Sequence, residues 1–226
     1  MVNLSVVIPT YNERENIEKL IPAIFAALEG DNRCEVIVVD DSSPDGTADV
    51  VRWLAEKFDV RLFVRPMKMG LTTAVIEGIS KARGEIICVM DADFSHPPKK
   101  LEELVAKLQY CDIAIASRYV EGGGIKNWPL KRKIISWMAI KLVRIILNVK
   151  VRDPVSGFFA IRKDILDKTD FRVKGYKILS NILARNKGLK IEEVPYIFVD
   201  RTRGESKLRP GEISQFVRDI LVLRFG

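Results

Sequence analysis

The chain has 226 residues, of which 47% are hydrophobic and 30% charged, and its formal net charge is +7. This length and composition exclude a disordered chain and a small fold that depends on disulfide bonds for stability. The three cysteines, Cys34, Cys88 and Cys111, are odd in number and lack CxxC spacing. We therefore expect a reduced intracellular protein in which the thiols fill apolar space.

The sequence shows neither a secretion signal nor a membrane-spanning segment. It begins directly with a strand pattern, without the basic, long apolar and small-residue regions of a signal peptide. The most apolar late segment, residues 134–149, is interrupted by Lys141 and Arg144, whereas a spanning helix needs about 18 uninterrupted apolar residues. We expect a chain that remains in the cytoplasm and does not cross a membrane.

Strand and helix patterns alternate through the first half of the sequence. This alternation predicts an α/β fold with a mostly parallel, doubly wound sheet and right-handed crossovers. Asn12 is the expected N-cap of the first helix. The predicted strands are 4–10, 34–41, 60–65, 85–91 and 112–118, and the predicted helices are 12–28, 47–58, 72–82 and 98–108.

The alternation ends after Arg118. A glycine hinge at 121–124 precedes a basic amphipathic segment at 131–150, and the remaining elements are a helix at about 175–187, a strand at 191–199 and a last helix at 213–225. The last helix has an apolar stripe with basic edges, which fits either core packing or contact with a membrane interface.

Positive charge is concentrated in one part of the chain. Between Gly122 and Arg152 there is no acidic residue, and the basic residues are at 126, 131, 132, 133, 141, 144, 150 and 152. Such a block suits the phosphates of a ligand, a nucleic acid or a lipid headgroup, although a solvated basic face has the same composition.

Two carboxylates follow the apolar run at residues 86–90. Asp91 and Asp93 are predicted at the carboxyl end of a buried strand, which is where open α/β sheets bind their ligands. Paired carboxylates are tolerated when a divalent cation lies between them, and oxygen ligands favour Mg²⁺ or Mn²⁺. The single histidine, His96, and the scattered cysteines leave no zinc site, and we interpret His96 as a residue at a helix start.

A second acidic pair ends the second predicted strand. Asp40 and Asp41 are expected near Tyr11 and Glu13 in the first turn, where a ring and carboxylates can receive a base and ribose. We interpret Asp45 as a turn cap. The first turn, PTYNE, lacks GxGxxG, and no Walker motif occurs, so a dinucleotide-binding domain and a P-loop protein are both disfavoured.

Seven sequence blocks, in order, resemble the family-2 glycosyltransferases of GT-A fold, and most closely the dolichyl-phosphate mannose synthases. The blocks are VVIPTYNERENI, VVDDSSPDGT, DADFSHPP, SRY, LKRKIIS, DPVSGFFAIRK and VDRTRGESKL. The resemblance implies a catalytic domain at 1–210, with a nucleotide-binding half at about 1–118 and an acceptor half at about 119–210. It also implies an amphipathic interface helix at 211–226.

The resemblance implies metal-dependent, inverting transfer of mannose from GDP-mannose to dolichyl (polyprenyl) phosphate, at the cytoplasmic face of a membrane. The resemblance also implies that the protein binds a membrane surface, with a small membrane-anchoring subunit as an optional partner. It implies no binding to nucleic acid. By motif, the nucleoside is held by Pro9, Tyr11, Glu13, Val38 and Asp40; the metal and diphosphate by Asp91, Ala92, Asp93 and Ser95; the donor phosphates or sugar by Arg118, Arg201 and Lys207; and the acceptor phosphate by Arg132 and Ser136.

One position departs from the family pattern. Asn181 stands where related enzymes carry a carboxylate in the helix after the GY pair. An acceptor phosphate is mostly dianionic at neutral pH, since its second pKa is about 6, so it needs no general base.

Three other functions remain open from the sequence. One is transfer from UDP-glucose or UDP-GlcNAc, to polyprenyl phosphate or a soluble glycan, and another is a sugar nucleotidyltransferase. The third is a non-catalytic module that binds anionic membranes or nucleic acid, which predicts steeply salt-dependent binding.

Overall fold

The computed structural model of the chain describes residues 3–28, 34–171, 177–199 and 210–225, with side chains from 216 onward in the last stretch. The strands in these ranges are β1 Leu4–Thr10, β2 Cys34–Asp40, β3 Val60–Val64, β4 Ile86–Val89, β5 Ile113–Ser117, β6 Gly124–Lys126, β7 Phe159–Arg162, β8 Ile191–Pro195 and β9 Ile197–Val199. The helices are α1 Arg14–Ala27, α2 Thr47–Leu54, α3 Leu71–Lys81, α4 Lys100–Lys107, α5 Leu130–Leu147, α6 Lys163–Asp167, α7 Ile178–Arg185 and α8 Pro210–Phe225.

The main sheet has the strand order β3-β2-β1-β4-β7-β5-β8. All its neighbours pair in parallel except β7, which runs antiparallel to β4 and to β5. Because of this direction, the residues before β7 lie at the same edge as the carboxyl ends of β4 and β5. Short strands β6 and β9 pair in parallel as a separate two-stranded sheet.

Apolar side chains cover both faces of the main sheet. On one face β1 and β2 pack against α1, α2 and α4, and on the other they pack against α3, while β7 packs against α7. Gly78 on α3 is required by this packing, since a Cβ there would lie 2.4 Å from Val7 Cγ1. The continuous apolar runs of β1 and β2 are explained by burial on both faces.

The basic segment predicted at 131–150 forms α5, and α8 packs beside it. Ile140, Val143 and Leu147 of α5 share an apolar cluster with Ile220 and Leu223 of α8. The described part of the chain contains no helix with both the length and the apolar character needed to cross a membrane.

Several sequence expectations are corrected by the fold. Asn12 does not cap α1: Glu13 precedes the helix, and Asn12 has a left-handed backbone with φ of 59°. The turn is instead tied to the loop after β2, because Asn12 N–H donates to Ser43 Oγ and Arg14 N–H donates to Asp45 Oδ2.

The second half of the chain differs more from expectation. The predicted strand at 191–199 is divided at Tyr196 into β8 and β9, which belong to different sheets. The glycine hinge leads directly into β6, and β7 and α6 arise from a segment for which the sequence pattern predicts no element. In the first half, α2 ends at Leu54 rather than at residue 58.

Candidate active site

The strands β2, β1 and β4 are neighbours, and their carboxyl ends form one edge of the sheet. The loops that follow them each contain a non-glycine residue with left-handed backbone, at Asn12, Ser42 and Phe94, with φ between 53° and 59°. Such conformations are uncommon and cluster at functional sites. This edge is therefore the candidate site.

Asp40 is fully buried at the end of β2. Its Oδ1 accepts hydrogen bonds from Thr10 Oγ1 at 2.9 Å and Ser43 Oγ at 2.5 Å, and its Oδ2 accepts one from Ser43 N at 2.8 Å. These bonds join the ends of β1 and β2. Asp45 Oδ1 accepts hydrogen bonds from the backbone N–H and the hydroxyl of Thr47, which confirms the prediction that Asp45 caps this turn.

The neighbouring Asp41 fixes the loop that leads to α3. It forms a buried ion pair with Arg65, and its Oδ2 accepts hydrogen bonds from the backbone N–H groups of Met69 and Gly70 at 3.1 and 3.0 Å. The loop in turn places Lys68 Nζ 3.6 Å from the centre of the Tyr11 ring. Asp41 is therefore a structural residue that shapes the border of the site.

The two carboxylates after β4 are both accessible at this edge. Asp91 and Asp93 are half-buried, while Ala92 between them is buried. Asp93 Oδ1 accepts hydrogen bonds from Ser95 N at 3.1 Å and Ser95 Oγ at 2.5 Å. The Ser95 hydroxyl is thus hydrogen-bonded to Asp93. Its coordination of a metal stays a prediction.

The side chains at this edge fit a divalent cation of the Mg²⁺ or Mn²⁺ type. The donor set is two carboxylates, and Gly157 leaves space beside one of them: a Cβ at Gly157 would lie 3.6 and 3.8 Å from the two Asp91 carboxylate oxygens. No group of three or more carboxylate, histidine or cysteine side chains suited to a metal occurs among the described residues. Among the described residues, Asp91 and Asp93 therefore suit a cation that takes most of its oxygen ligands from outside the chain.

Arg118, which follows β5, is held by a buried acid. The Arg118 guanidinium donates hydrogen bonds of 2.8 Å to both carboxylate oxygens of Asp153, and the backbone N–H of Arg118 donates to the same carboxylate at 3.2 Å. Burial alone lowers the pKa of Arg118, but the bonds to Asp153 outweigh it and raise the pKa above its usual value. The predicted contact between Arg118 and a phosphate stays a prediction.

A second cation lies near this pair. Burial and the charge of Arg118 together lower the pKa of Lys177 to about 8, although Asp91 and Asp153 oppose the decrease. The electrostatic coupling places Lys177 among these groups. Lys177 and Asp153 were not identified from sequence, although an acid directly after a long acid-free block was a usable signal.

The basic helix α5 contacts this edge through its first turns. Tyr119 Oη donates a hydrogen bond of 3.0 Å to Ser136 Oγ, and Arg132 lies 4.1 Å over the ring of Trp128. Arg132 and Ser136 are four residues apart on α5, so they share one helix face. Of the two residues predicted to receive the acceptor phosphate, Ser136 contacts the residue that follows Arg118, and Arg132 lies one helical turn before Ser136.

The other residues predicted to bind the nucleoside lie on β1, on β2 or in the turn after β1. Tyr11 is partly exposed, Glu13 accepts a hydrogen bond of 2.7 Å from Asn16 Nδ2, and Pro9 and Val38 are buried strand residues. Arg201 and Lys207 lie outside the described residues. Their roles, like those of the other nucleotide-site residues, stay predictions.

His96 is not a simple helix-start residue. It is buried, and its Nδ1 accepts a hydrogen bond of 2.9 Å from Asp91 N–H. The three cysteines are also buried in the apolar core, in agreement with the prediction that they fill apolar space.

Comparison with known proteins identifies the family. The model of Glycosyl transferase family 2 matches residues 5–170. The chain is 46% identical over 222 residues to the dolichol-phosphate mannosyltransferase of Pyrococcus furiosus, an alignment that covers 97% of this chain and 63% of that protein. It is 36% identical over 240 residues to the dolichol-phosphate mannosyltransferase of Saccharomyces cerevisiae, with 100% of this chain and 89% of that protein covered.

A solved structure supports the fold. The chain resembles the mannosyltransferase PcManGT from Pyrobaculum calidifontis, solved in complex with GDP-Man and Mn²⁺, with a TM-score of 0.64 and 18% identity. The match covers 99% of this chain and 70% of that one. The predicted GT-A α/β fold is confirmed.

Proposed function

The chain belongs to glycosyl transferase family 2, and on this premise we propose that it transfers mannose from GDP-mannose to dolichyl (polyprenyl) phosphate. The observation that carries this proposal is the hydrogen bond between Tyr119 and Ser136, which joins the basic helix α5 to the edge that holds Asp91 and Asp93. A site for an anionic acceptor thus adjoins a site for a metal-bound donor. The two similar dolichol-phosphate mannosyltransferases support the choice of sugar and acceptor.

In the proposed reaction, an oxygen of the acceptor phosphate attacks the anomeric carbon of mannose. A new carbon–oxygen bond forms as the bond between that carbon and the β-phosphate oxygen breaks, and the electron pair leaves with GDP. A single displacement of this kind inverts the anomeric centre.

The residues of the chain have separate tasks. Asp91 and Asp93 would hold a divalent cation, which when bound neutralises charge on the leaving diphosphate. Arg132 and Ser136 would bind the acceptor phosphate, and Trp128 supports the Arg132 guanidinium from one face. The acceptor is mostly dianionic at neutral pH and needs no side-chain base, so Asn181 in α7 is compatible with transfer.

The acceptor carries a lipid chain, and α5 has a surface that suits it. Leu130, Ile134, Trp137, Met138 and Ile145 are exposed at spacings that place them along one side of the helix. On α8, Leu221, Val222 and Phe225 are also exposed, the last by 80%. Basic residues at 131, 133, 141 and 144 lie on α5 with these side chains.

We therefore assign the face of α5 and α8 to contact with an anionic membrane surface. An apolar stripe with basic residues favours the interface between headgroups and acyl chains. This contact would place the catalytic edge beside the phosphate of a membrane-embedded acceptor, at the cytoplasmic face.

The test is a transfer assay with radiolabelled GDP-mannose, UDP-glucose and UDP-GlcNAc, each with a polyprenyl phosphate and Mg²⁺ or Mn²⁺. We expect label from GDP-mannose alone to enter the organic phase. Asp91→Asn and Asp93→Asn should each abolish transfer, whereas Asp49→Asn, which changes an exposed acid on α2, should not. Label from a UDP-sugar instead would refute the donor, and full activity in both site variants would refute the metal site.

A further inference from the structure

His96 is the only histidine of the chain, and it lies directly against Asp91. Its Nδ1 accepts a hydrogen bond of 2.9 Å from the backbone N–H of Asp91. Its Nε2 lies 3.7 Å from Oδ2 of the same residue. Both nitrogens of one imidazole therefore lie near a single aspartate: Nδ1 is hydrogen-bonded to its backbone, and Nε2 lies close to its carboxylate.

The first of these contacts determines the tautomer. A nitrogen that accepts a hydrogen bond carries no proton, so the proton of a neutral imidazole must be on Nε2. This protonated nitrogen lies 3.7 Å from Asp91 Oδ2, near the carboxylate but beyond hydrogen-bond distance. Burial lowers the pKa of His96, while Asp91 and Asp93 oppose the decrease and Arg118 and Lys177 add to it.

The ring is held in place by its neighbours. His96 is 2% exposed and stacks on Phe158, with ring centres 5.0 Å apart and planes inclined by 16°. Tyr196 and Phe198 meet it edge-on at 6.0 and 6.3 Å. A Cβ at Gly157 would lie 3.2 Å from His96 Cε1, so the glycine allows the ring and the Asp91 carboxylate to lie together.

We propose that His96 is a positioning residue that orients the Asp91 carboxylate for a divalent cation. The inference rests on the metal-dependent transfer proposed above. His96 takes no part in bond making: it anchors the backbone of Asp91 through Nδ1, and its packed ring lies against the carboxylate and restricts it to one orientation. Groups that orient metal ligands in this way typically change metal affinity by about 10- to 100-fold when removed.

The first test is nitrogen NMR of the untagged protein labelled at histidine. Because the chain has one histidine, both ring nitrogen signals belong to His96. We expect Nδ1 to be unprotonated and Nε2 protonated, and we expect the Nε2 signal to shift when Mg²⁺ and GDP are added. A proton on Nδ1, or an Nε2 signal that does not shift when Mg²⁺ and GDP are added, would overturn the inference.

The second test measures Mn²⁺ binding in the presence of GDP by electron paramagnetic resonance. His96→Phe retains a ring for stacking but removes the hydrogen bond to the Asp91 backbone and the nitrogen near its carboxylate, so Mn²⁺ affinity should fall about tenfold or more. His96→Asn supplies a carbonyl near the position of Nδ1 and should recover part of this loss. The matched control is Phe58→Leu, which alters a ring stacked on Phe25 away from the site and should bind Mn²⁺ like the wild type.

The outcomes separate the two proposals. If the wild type binds GDP but not Mn²⁺, the proposed metal-dependent reaction fails and this inference fails with it. If the wild type and both His96 variants bind Mn²⁺ equally, only the role of His96 is refuted. If His96→Phe does not fold, His96→Asn and the tautomer still decide the question.

Discussion

Arg118 and Asp153 form a nearly buried, bidentate ion pair beside the candidate active site. The Asp153 side chain is fully buried, and that of Arg118 is 9% exposed. Asp153 is itself anchored, because its N–H donates to Glu193 Oε1 at 3.0 Å. The pair therefore connects the end of β5, the loop before β7 and the strand β8.

The first prediction concerns the stability that depends on this pair. Asp153→Asn leaves the Arg118 guanidinium with little access to water and no counter-charge, which we expect to cost about 3 to 5 kcal/mol in unfolding free energy. Urea denaturation measures this loss. Asp49→Asn, which disrupts the exposed pair with Arg52, should cost less than about 1 kcal/mol. Equal losses in the two variants would show that burial of the Arg118 pair has no energetic importance.

The second prediction concerns the link between Tyr119 and Ser136. Tyr119→Phe removes the hydroxyl that donates to Ser136 Oγ, so the face of α5 that we propose binds the acceptor loses its contact with the segment after β5. We expect KM for polyprenyl phosphate to rise several-fold, while the affinity for GDP is unchanged. Initial-rate kinetics and GDP titration separate these effects. Tyr110→Phe, at a tyrosine that is 71% exposed, is the matched control and should leave both values unaltered.

The third prediction concerns the exposed apolar side of α5, which we propose contacts a membrane surface. Trp137→Ser should weaken binding to vesicles with anionic lipid by roughly tenfold, since it removes a large apolar side chain from the interface. Trp53→Ser on α2 is a close control, because Trp53 is 47% exposed and Trp137 is 53% exposed. Vesicle co-sedimentation measures both variants. Equal weakening would place the membrane contact elsewhere on the surface.

The fourth prediction concerns the pH dependence of stability through Glu35. Burial alone raises the pKa of Glu35, but hydrogen bonds from Ser5, from Arg83 and from Arg61 outweigh it and leave the pKa below its ordinary value. A carboxylate with a lowered pKa in the folded state stabilises the fold above its unfolded-state pKa, and this stabilisation is lost as the pH falls through the folded-state pKa.

Glu35→Gln should therefore lower the unfolding free energy by about 2 kcal/mol at neutral pH. The difference from the wild type should narrow as the solution is acidified. Chemical denaturation at several pH values checks this, with Glu18→Gln on the exposed side of α1 as control. A difference that persists unchanged into acid would contradict the assignment to the ionised carboxylate.

Local sequence pattern predicted the first half of the fold well. The bounds of β1 match the prediction and those of β2 differ by one residue, because long apolar runs belong to strands that are buried on both faces. Asp91 and Asp93 were also placed correctly at the end of a strand. The resemblance to glycosyltransferases came from seven short blocks, which are likewise local.

Pairing between distant segments was not predicted. The segment at 159–162 has no pattern that distinguishes it from a loop, yet it forms β7 between β4 and β5. Tyr196 divides a continuous strand pattern because β8 pairs with β5 while β9 pairs with β6. Asn12 has the residue type of an N-cap, but contacts with the loop after β2 determine its backbone instead.

The sequence by itself determined which residue types are available for the chemistry: two carboxylates after a strand, a basic acid-free segment and one histidine. Only the tertiary structure decided which of them meet. Arg118 and Asp153 are far apart along the chain, and they pair because the loop before β7 reaches the carboxyl ends of β4 and β5. His96 is close to Asp91 in sequence, but its orientation depends on the rings of Phe158 and Tyr196, which the order of strands brings to it.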